Sequence, residues 1–412
     1  MFFKLALKSL RNRKGSVILT LMAMTVSIFV LLAVEHIRYQ AKESFANTVS
    51  GVDLIVGSRS SSLNLLLYSV FHIGSPTNNV SWESFEDISS NSQVEWAIPI
   101  SLGDSHKGYR VVGTTRDYFE HFSYGNRHRL KLAEGAVFNG LLDVVLGADV
   151  AKKLGYSMGD KLVLSHGLAT TSFSLHDDRP FEVVGILAPT GTPVDQALHV
   201  SLQGIEAIHI DWQQGVKMPG SNITVDQIEQ LELQPKSITA FMLGLKSRIA
   251  TFAVQRNINQ YKKEPVLAIL PGVALSELWQ MMAVLENTLR LVSVLILIAA
   301  LLGLSAMLLA SIRERRREVQ LLRVIGASPL FLFLLIELEA LLITLLSTLL
   351  AVSMLSGCLA IAGDFLAAEY GLYIEAGIFS GSTVGLLLMV TVATLLAAAI
   401  PSLNIYKNAK TQ

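Results

Sequence analysis

Apolar residues fall in four long runs, at 16–34, 289–312, 329–355 and 383–401. Each is long enough to cross a bilayer as a helix. Between the first and second runs, over 35–288, the apolar residues come instead in short bursts. The segments 94–102, 109–115, 143–147, 161–165, 181–187 and 239–245 are β-branched, brief and bounded by Gly, Asp or Pro, which predicts strands. The segments 148–154 and 247–261 carry helical spacing, and Thr190-Gly191-Thr192-Pro193-Val194-Asp195 reads as a turn-rich loop. The pattern predicts an integral membrane α-helical protein with four transmembrane helices. A large α+β domain is inserted between the first and second.

Charge orients that arrangement. Lys4, Lys8, Arg11, Arg13 and Lys14 precede the first run, an arginine-rich stretch fills 313–328, and Lys407 and Lys410 follow the fourth. Basic loops stay inside, so 1–15, 313–328 and 402–412 are expected in the cytoplasm, with 35–288 and the short 356–382 loop outside. The first run reads as an uncleaved anchor. It exceeds a usual signal-peptide core, and Ala33-Val34-Glu35-His36 is a poor cleavage site. The start, Phe2 to Arg11, alternates apolar and basic residues at helical spacing. It is either an amphipathic helix in the inner interface or a plain basic topology anchor.

Composition agrees. Of 412 residues, 51% are hydrophobic and 16% charged, with mean hydropathy +0.48, which suits a few spans plus one sizeable polar domain. Cys358 is the single cysteine, so an outer domain rests on its own core without an intrachain disulfide.

Several chemistries find no motif. There is no G-x-x-x-x-G-K-[ST] loop for a nucleotide and no H-E-x-x-H for zinc, and Ser60-Ser61-Ser62 lacks a nucleophile elbow. No catalytic, cofactor or metal residue is assigned. The histidines His72, His106, His121, His128, His166, His176, His199 and His209 are scattered, and a metal site would need His121 to meet His128, or His166 to meet His176. Arginines that flank spans without stacking aromatics argue against nucleic acid. Glu337 and Glu339 stand inside the third run, where carboxylates are costly. Glu339 is expected to pair with Arg323 or with a lysine of a neighbouring helix. The leucines of 63–67, with Phe71, form either a partner surface or a helix packed on the domain.

The segment joining the second and third runs is Glu314-Arg315-Arg316-Arg317-Glu318-Val319-Gln320-Leu321-Leu322-Arg323-Val324-Ile325-Gly326-Ala327. It resembles the E-R-R-x-E-I-x-L-L-R-A-I-G-A cytoplasmic signature of the MacB/FtsX/LolC-LolE family of ABC transporter permeases. The likeness extends through Val112-Gly113-Thr114-Thr115-Arg116-Asp117-Tyr118-Phe119, Val145-Leu146-Gly147-Ala148-Asp149-Val150-Ala151-Lys152-Lys153-Leu154-Gly155 and Phe181-Glu182-Val183-Val184-Gly185-Ile186-Leu187, in family order. The resemblance implies a non-catalytic permease subunit of mechanotransmission type in a bacterial inner membrane, with an outer domain of two lobes, one interrupting the other. It also implies a separate cytoplasmic ATPase dimer that carries the ATP and Mg, and a second permease copy or paralogue. A periplasmic binding or lipoprotein partner would complete the set, with no cofactor in this chain. The family handles lipoproteins, peptides and other substrates. Glu314, Arg317, Glu318 and Leu321 fall on one helical stripe flanked by Leu322, and with Arg323 and Gly326 form the expected ATPase-docking face. Gly303 offers close helix contact in the second span. The rival reading is a membrane-anchored sensor or scaffold without ATP coupling, which has no need for a structured docking element. A secondary transporter is disfavoured by too few spans and no inverted repeat.

Overall fold

The computed structural model describes residues 2–46, 48–125, 127–166, 179–210, 212–213, 216–217, 231, 233–314, 328–370 and 381–410. These divide into two compact units. One holds the long helices (1–41, 282–366 and 374–412) and the other spans 42–281 with 367–373.

In the first unit, a short helix Phe2–Asn12 precedes four long ones, Lys14–Ala46, Pro271–Glu314, Pro329–Tyr370 and Gly381–Lys410. Each contains a stretch apolar enough to cross a membrane. The short helix is amphipathic. Ala6, Ser9, Leu10 and Arg13 recur at the i, i+3, i+4, i+7 spacing of one face, and Ala6 and Ser9 on it are buried while Phe3 and Leu7 are exposed. The bundle has two apolar centres. Met24, Ile28 and Leu32 meet Leu297, Ala300, Ala351, Leu355 and Val390 in one, and Leu304, Leu308, Leu332, Ile336, Ile343 and Ala398 form the other.

The second unit is built on one mixed eleven-stranded sheet. Nine strands lie on its main path: β1 Leu54–Ser58, β2 Val94–His106, β3 Tyr109–Thr114, β4 Leu132–Gly135, β5 Asp143–Leu146, β6 Phe181–Leu187, β7 Ala197–Ser201, β8 Ala240–Leu245 and β9 Val266–Ile269. Their order is β9-β1-β8-β2-β3-β7-β5-β6-β4. The 13-residue strand β2 is shared by both halves. Its first part, from Val94 to Ile100, pairs antiparallel with β8. After that it pairs with β3 from Ser101 to His106, with an irregularity between Leu102 and Ser105 where the register shifts. Chain on both sides of 101–201 therefore builds one half of the sheet, and 101–201 builds the other, so one lobe interrupts the other. Each half has its own core, one around Leu54, Phe85, Phe241, Val254 and Ile258, the other around Val144, Leu146, Val150, Phe181 and Leu198. A third cluster, with Ile55, Leu65, Ile98, Ile100, Tyr118 and Val145, draws on both.

Two expectations change. The strand expected at 161–165 is two short pieces, Lys161–Leu162 on β6 and Ser165–His166 on β2. The helix expected at 247–261 is Thr251–Asn259, preceded by a 3-10 turn. The leucines of 63–67 lie on a helix, Ser62–Val70, capped by Ser61 and seated on the sheet. Leu65 and Leu66 are fully buried and Phe71 nearly so, which bears out the reading of a helix packed on the domain over that of a partner surface. The described histidines have other neighbours. His121 stacks on Trp96 and groups with Asp117 and Glu120, His128 lies against Tyr124, and His176 falls outside the described residues.

The centre of the sheet holds an unusual group. His199, on β7, is fully buried between the rings of Tyr118 and Phe119, at 5.2 and 5.8 Å. Burial first, and the nearby His72 second, push its pKa down to about 3. His72 is held down at about 4, again mainly by burial and then by Arg110. Nearby Asp195 is pushed up to about 6 by burial, against the hydrogen bonds from Thr190 and Gly191 that hold it. The signs oppose each other. The depressed histidines contribute stability above their unfolded pKa near ~6.5 and lose it as pH falls toward 3–4. The raised aspartate contributes below its unfolded pKa near ~3.9 and loses that as pH rises through about 6. A His199→Phe variant, similar in shape and without the titration, should lose about 2 kcal/mol less stability than the parent between pH 7.5 and pH 5. Thermal unfolding of the full chain at the two pH values checks this. Equal losses in parent and variant contradict it.

Candidate functional site: the polar contacts of the helical unit

Polar groups inside an apolar bundle are held only where they meet each other, so they mark what the bundle fixes. Glu339, in the third turn of the third long helix, is 1% exposed. Its Oε2 accepts from Arg13 Nη2 at 3.0 Å, and its Oε1 accepts from the hydroxyl of Ser9. Arg13 Nη2 also reaches Ser9 Oγ at 3.2 Å. Glu339 thus meets the basic N-terminal segment, and Arg323 lies outside the described residues. Ser9 and Arg13 fall four apart, so the junction of the short helix and the first long one delivers both groups to one carboxylate. Eight residues further along each helix, Ser347 Oγ donates to the Leu21 carbonyl at 3.3 Å. Both contacts have the same sequence offset, so the first and third long helices run parallel, side by side. Glu337, two residues before Glu339, is half-buried.

A second set sits at the other end of the first long helix. Arg38 pairs with Glu35 one turn before it and reaches Glu286 at 3.7 Å, while Arg290 reaches Glu35 at 3.4 Å. The partner numbers fall on one helix as they rise on the other, so the first and second long helices run antiparallel. These four charges make a clamp between them. Charges close to the ends of an apolar run look like ordinary boundaries, and only the alternation of sign, acid-base on one run and acid-base on the other, hints at the clamp.

The second long helix is unbroken for 44 residues, a length of about 66 Å, roughly twice a hydrocarbon core. It ends at Glu314. The expected docking residues Arg317, Glu318, Leu321, Leu322, Arg323 and Gly326 lie outside the described residues, as does the side chain of Glu314. Past them, Ser328 caps the third long helix, accepting from Phe331 N–H at 3.2 Å, with Pro329 at its first position. Gly303 is exposed, and among the described residues no atom lies within 4 Å of where a Cβ would stand.

Residues 17–261 match the MacB-like periplasmic core domain, which is more than half of the chain, and 290–409 match the FtsX-like permease C-terminal region. The chain belongs to the MacB/FtsX permease family. Membership makes it an ABC-transporter-type permease, a multi-pass membrane protein whose inserted domain is of the MacB periplasmic kind. Two solved structures are similar at low identity. The periplasmic region of MacB from Actinobacillus actinomycetemcomitans is 11% identical, over 56% of this chain and 94% of that one, with a TM-score of 0.34. The extracellular domain of the noncanonic ABC-type transporter YknZ from Gram-positive bacteria is 12% identical, over 53% of this chain and 98% of that one, with a TM-score of 0.30. No curated protein matches the chain.

Removing one partner of a buried pair leaves the other charge stranded, which costs about 3–5 kcal/mol, whereas replacing both with apolar residues is far cheaper. Arg13→Leu and Glu339→Leu should each lower the unfolding temperature of the detergent-purified permease sharply, and the double variant should recover most of the loss. Additive losses in the double variant would show that the two residues do not act as a pair.

Proposed function

We propose that this permease is the membrane subunit of an ATP-driven machine of the mechanotransmission type. A separate cytoplasmic ATPase dimer docks on the arginine-rich segment after Glu314 and closes on ATP. The resulting displacement travels along the second long helix to the outer domain, where substrate is handled without passing between the spans. Both termini and the 313–328 segment lie in the cytoplasm, and two permease copies or paralogues form the working unit. ATP and Mg are held by the partner ATPase.

The observation that carries this reading is the unbroken helix Pro271–Glu314, which begins in the segment following β9 and ends where the basic segment starts. A continuous hydrogen-bonded helix transmits axial displacement with little loss, and no proline interrupts it after Pro271. The parallel packing of the first and third long helices, and the antiparallel packing of the first and second, support an alternating four-span topology with both termini on one side. The basic bias around three short segments supports which side that is.

The docking face is expected at Glu314, Arg317, Glu318, Leu321 and Leu322. The double change Arg317→Glu with Leu321→Ala should abolish permease-stimulated ATP hydrolysis in the reconstituted complex while membrane insertion persists. Unchanged stimulation sinks the docking assignment and favours the passive sensor. A proline at Val284, an exposed position within the helix, breaks the ladder there. That variant should keep ATP hydrolysis and lose substrate handling, and full transport by it would contradict the rigid-lever mechanism.

A further inference from the structure

The helical unit carries a groove of about 540 Å³ on its outer surface, walled by the first and third long helices and lined also by Leu7 and Leu10 of the short N-terminal helix. Its sides are Val17, Ile18 and Leu21 on one helix and Leu342, Leu346 and Leu349 on the other, with Ile18, Leu346 and Leu349 about half or more exposed. Among the described residues, the charged side chains in its lining are Arg11 and Lys14, with no carboxylate beside them.

The position of those two charges is fixed by the helix register. Arg13 lies level with Glu339 and Leu21 with Ser347, so the stretch 342–349 runs alongside 16–23. Arg11 and Lys14 therefore stand together just beyond one end of an apolar trough about 10 Å long, a third of a hydrocarbon core. Arg13, between them, is neutralised by Glu339. Arg11 and Lys14 are exposed and have no acidic partner among the described residues. The result is an uncompensated double positive charge at the mouth of a hydrocarbon-lined slot.

We propose that this groove is a binding site for an anionic glycerophospholipid of the surrounding bilayer. The phosphate sits between Arg11 and Lys14, and one acyl chain lies along the trough between Leu21 and Leu346. The geometry matches an amphiphile with charge at one end and hydrocarbon behind it, and the sign selects a headgroup with net negative charge over a zwitterionic one. A second copy of the chain is a poorer occupant. A two-fold contact here would bring Arg11 and Lys14 of both copies together with no acid in the groove to offset them. The site needs only that the unit be embedded in a bilayer, and it does not depend on ATP coupling. A lipid seated there bridges the short helix and both long helices, beside the Ser9–Arg13–Glu339 contact.

The test uses the full chain in nanodiscs of phosphatidylglycerol and phosphatidylethanolamine, with retained lipid measured by native mass spectrometry after release into detergent. The parent should retain phosphatidylglycerol preferentially. Arg11→Gln should cut that preference by about fivefold, and Arg11→Gln with Lys14→Gln by about thirtyfold. The charge-keeping change Arg11→Lys with Lys14→Arg should preserve it, which controls for folding. Leu346→Trp, which fills the trough, should lower retention of both lipids. An unchanged preference in the double glutamine variant overturns the proposal and leaves the two cations as topology signals only. So does efficient disulfide formation between copies through Leu346→Cys in a Cys358→Ser background, because the groove would then be a protein contact.

Discussion

A carboxylate buried within an apolar helix must be matched, and the way Glu339 is matched organises the helical unit. Its two oxygens take Ser9 and Arg13, which come from the junction between the N-terminal helix and the first span. The cost of an unpaired charge in hydrocarbon is large enough to hold that junction against the third span. With one contact fixed, the Ser347–Leu21 hydrogen bond eight residues on follows from parallel packing, and the apolar faces around Ile343 and Ala340 close behind it. The amphipathic start of the chain is therefore a packed part of the bundle. Its Ala6 and Ser9 are buried while Phe3 and Leu7 remain on the surface.

The other end of the first span has a different character. The clamp of Glu35, Arg38, Glu286 and Arg290 is made of charges that are partly exposed, at separations of up to 3.7 Å. Such pairs are individually weak and exchange partners at small cost. The contrast fits the proposed mechanism. A firm contact at Glu339 gives the first and third spans a fixed frame, and a loose ionic clamp lets the second span move against that frame along its own axis.

Much of this was legible in the sequence, for identifiable reasons. Four apolar runs are unambiguous because nothing else demands that length. The strand Phe181–Leu187 and the helix Ala148–Leu154 appear residue for residue, the first from its short β-branched run and the second from its glycine close at Gly155, which adopts φ +68. Leu54–Ser58 and Ala197–Ser201 escaped because all five residues of each are buried, so no period-two signal exists to read. The contact of Glu339 with Arg13 escaped because the two lie 326 residues apart, beyond the reach of any local pattern. His199 looked like any other histidine, since its burial comes from pairing with Val112 and Val145 on neighbouring strands. The residues most specific to the family, from Arg315 to Ala327, are legible as a motif and lie outside the described structure.

The central claim is that the second span moves relative to the first as the machine cycles. It is tested most directly by tying the two together at the clamp. Cysteines at positions 38 and 286, in a Cys358→Ser background, can be joined by a short cleavable bifunctional thiol reagent in the reconstituted complex. The account predicts that cross-linking halts substrate handling, and that cleaving the linker restores it. Substrate handling at an undiminished rate with the two helices fully cross-linked would contradict the account.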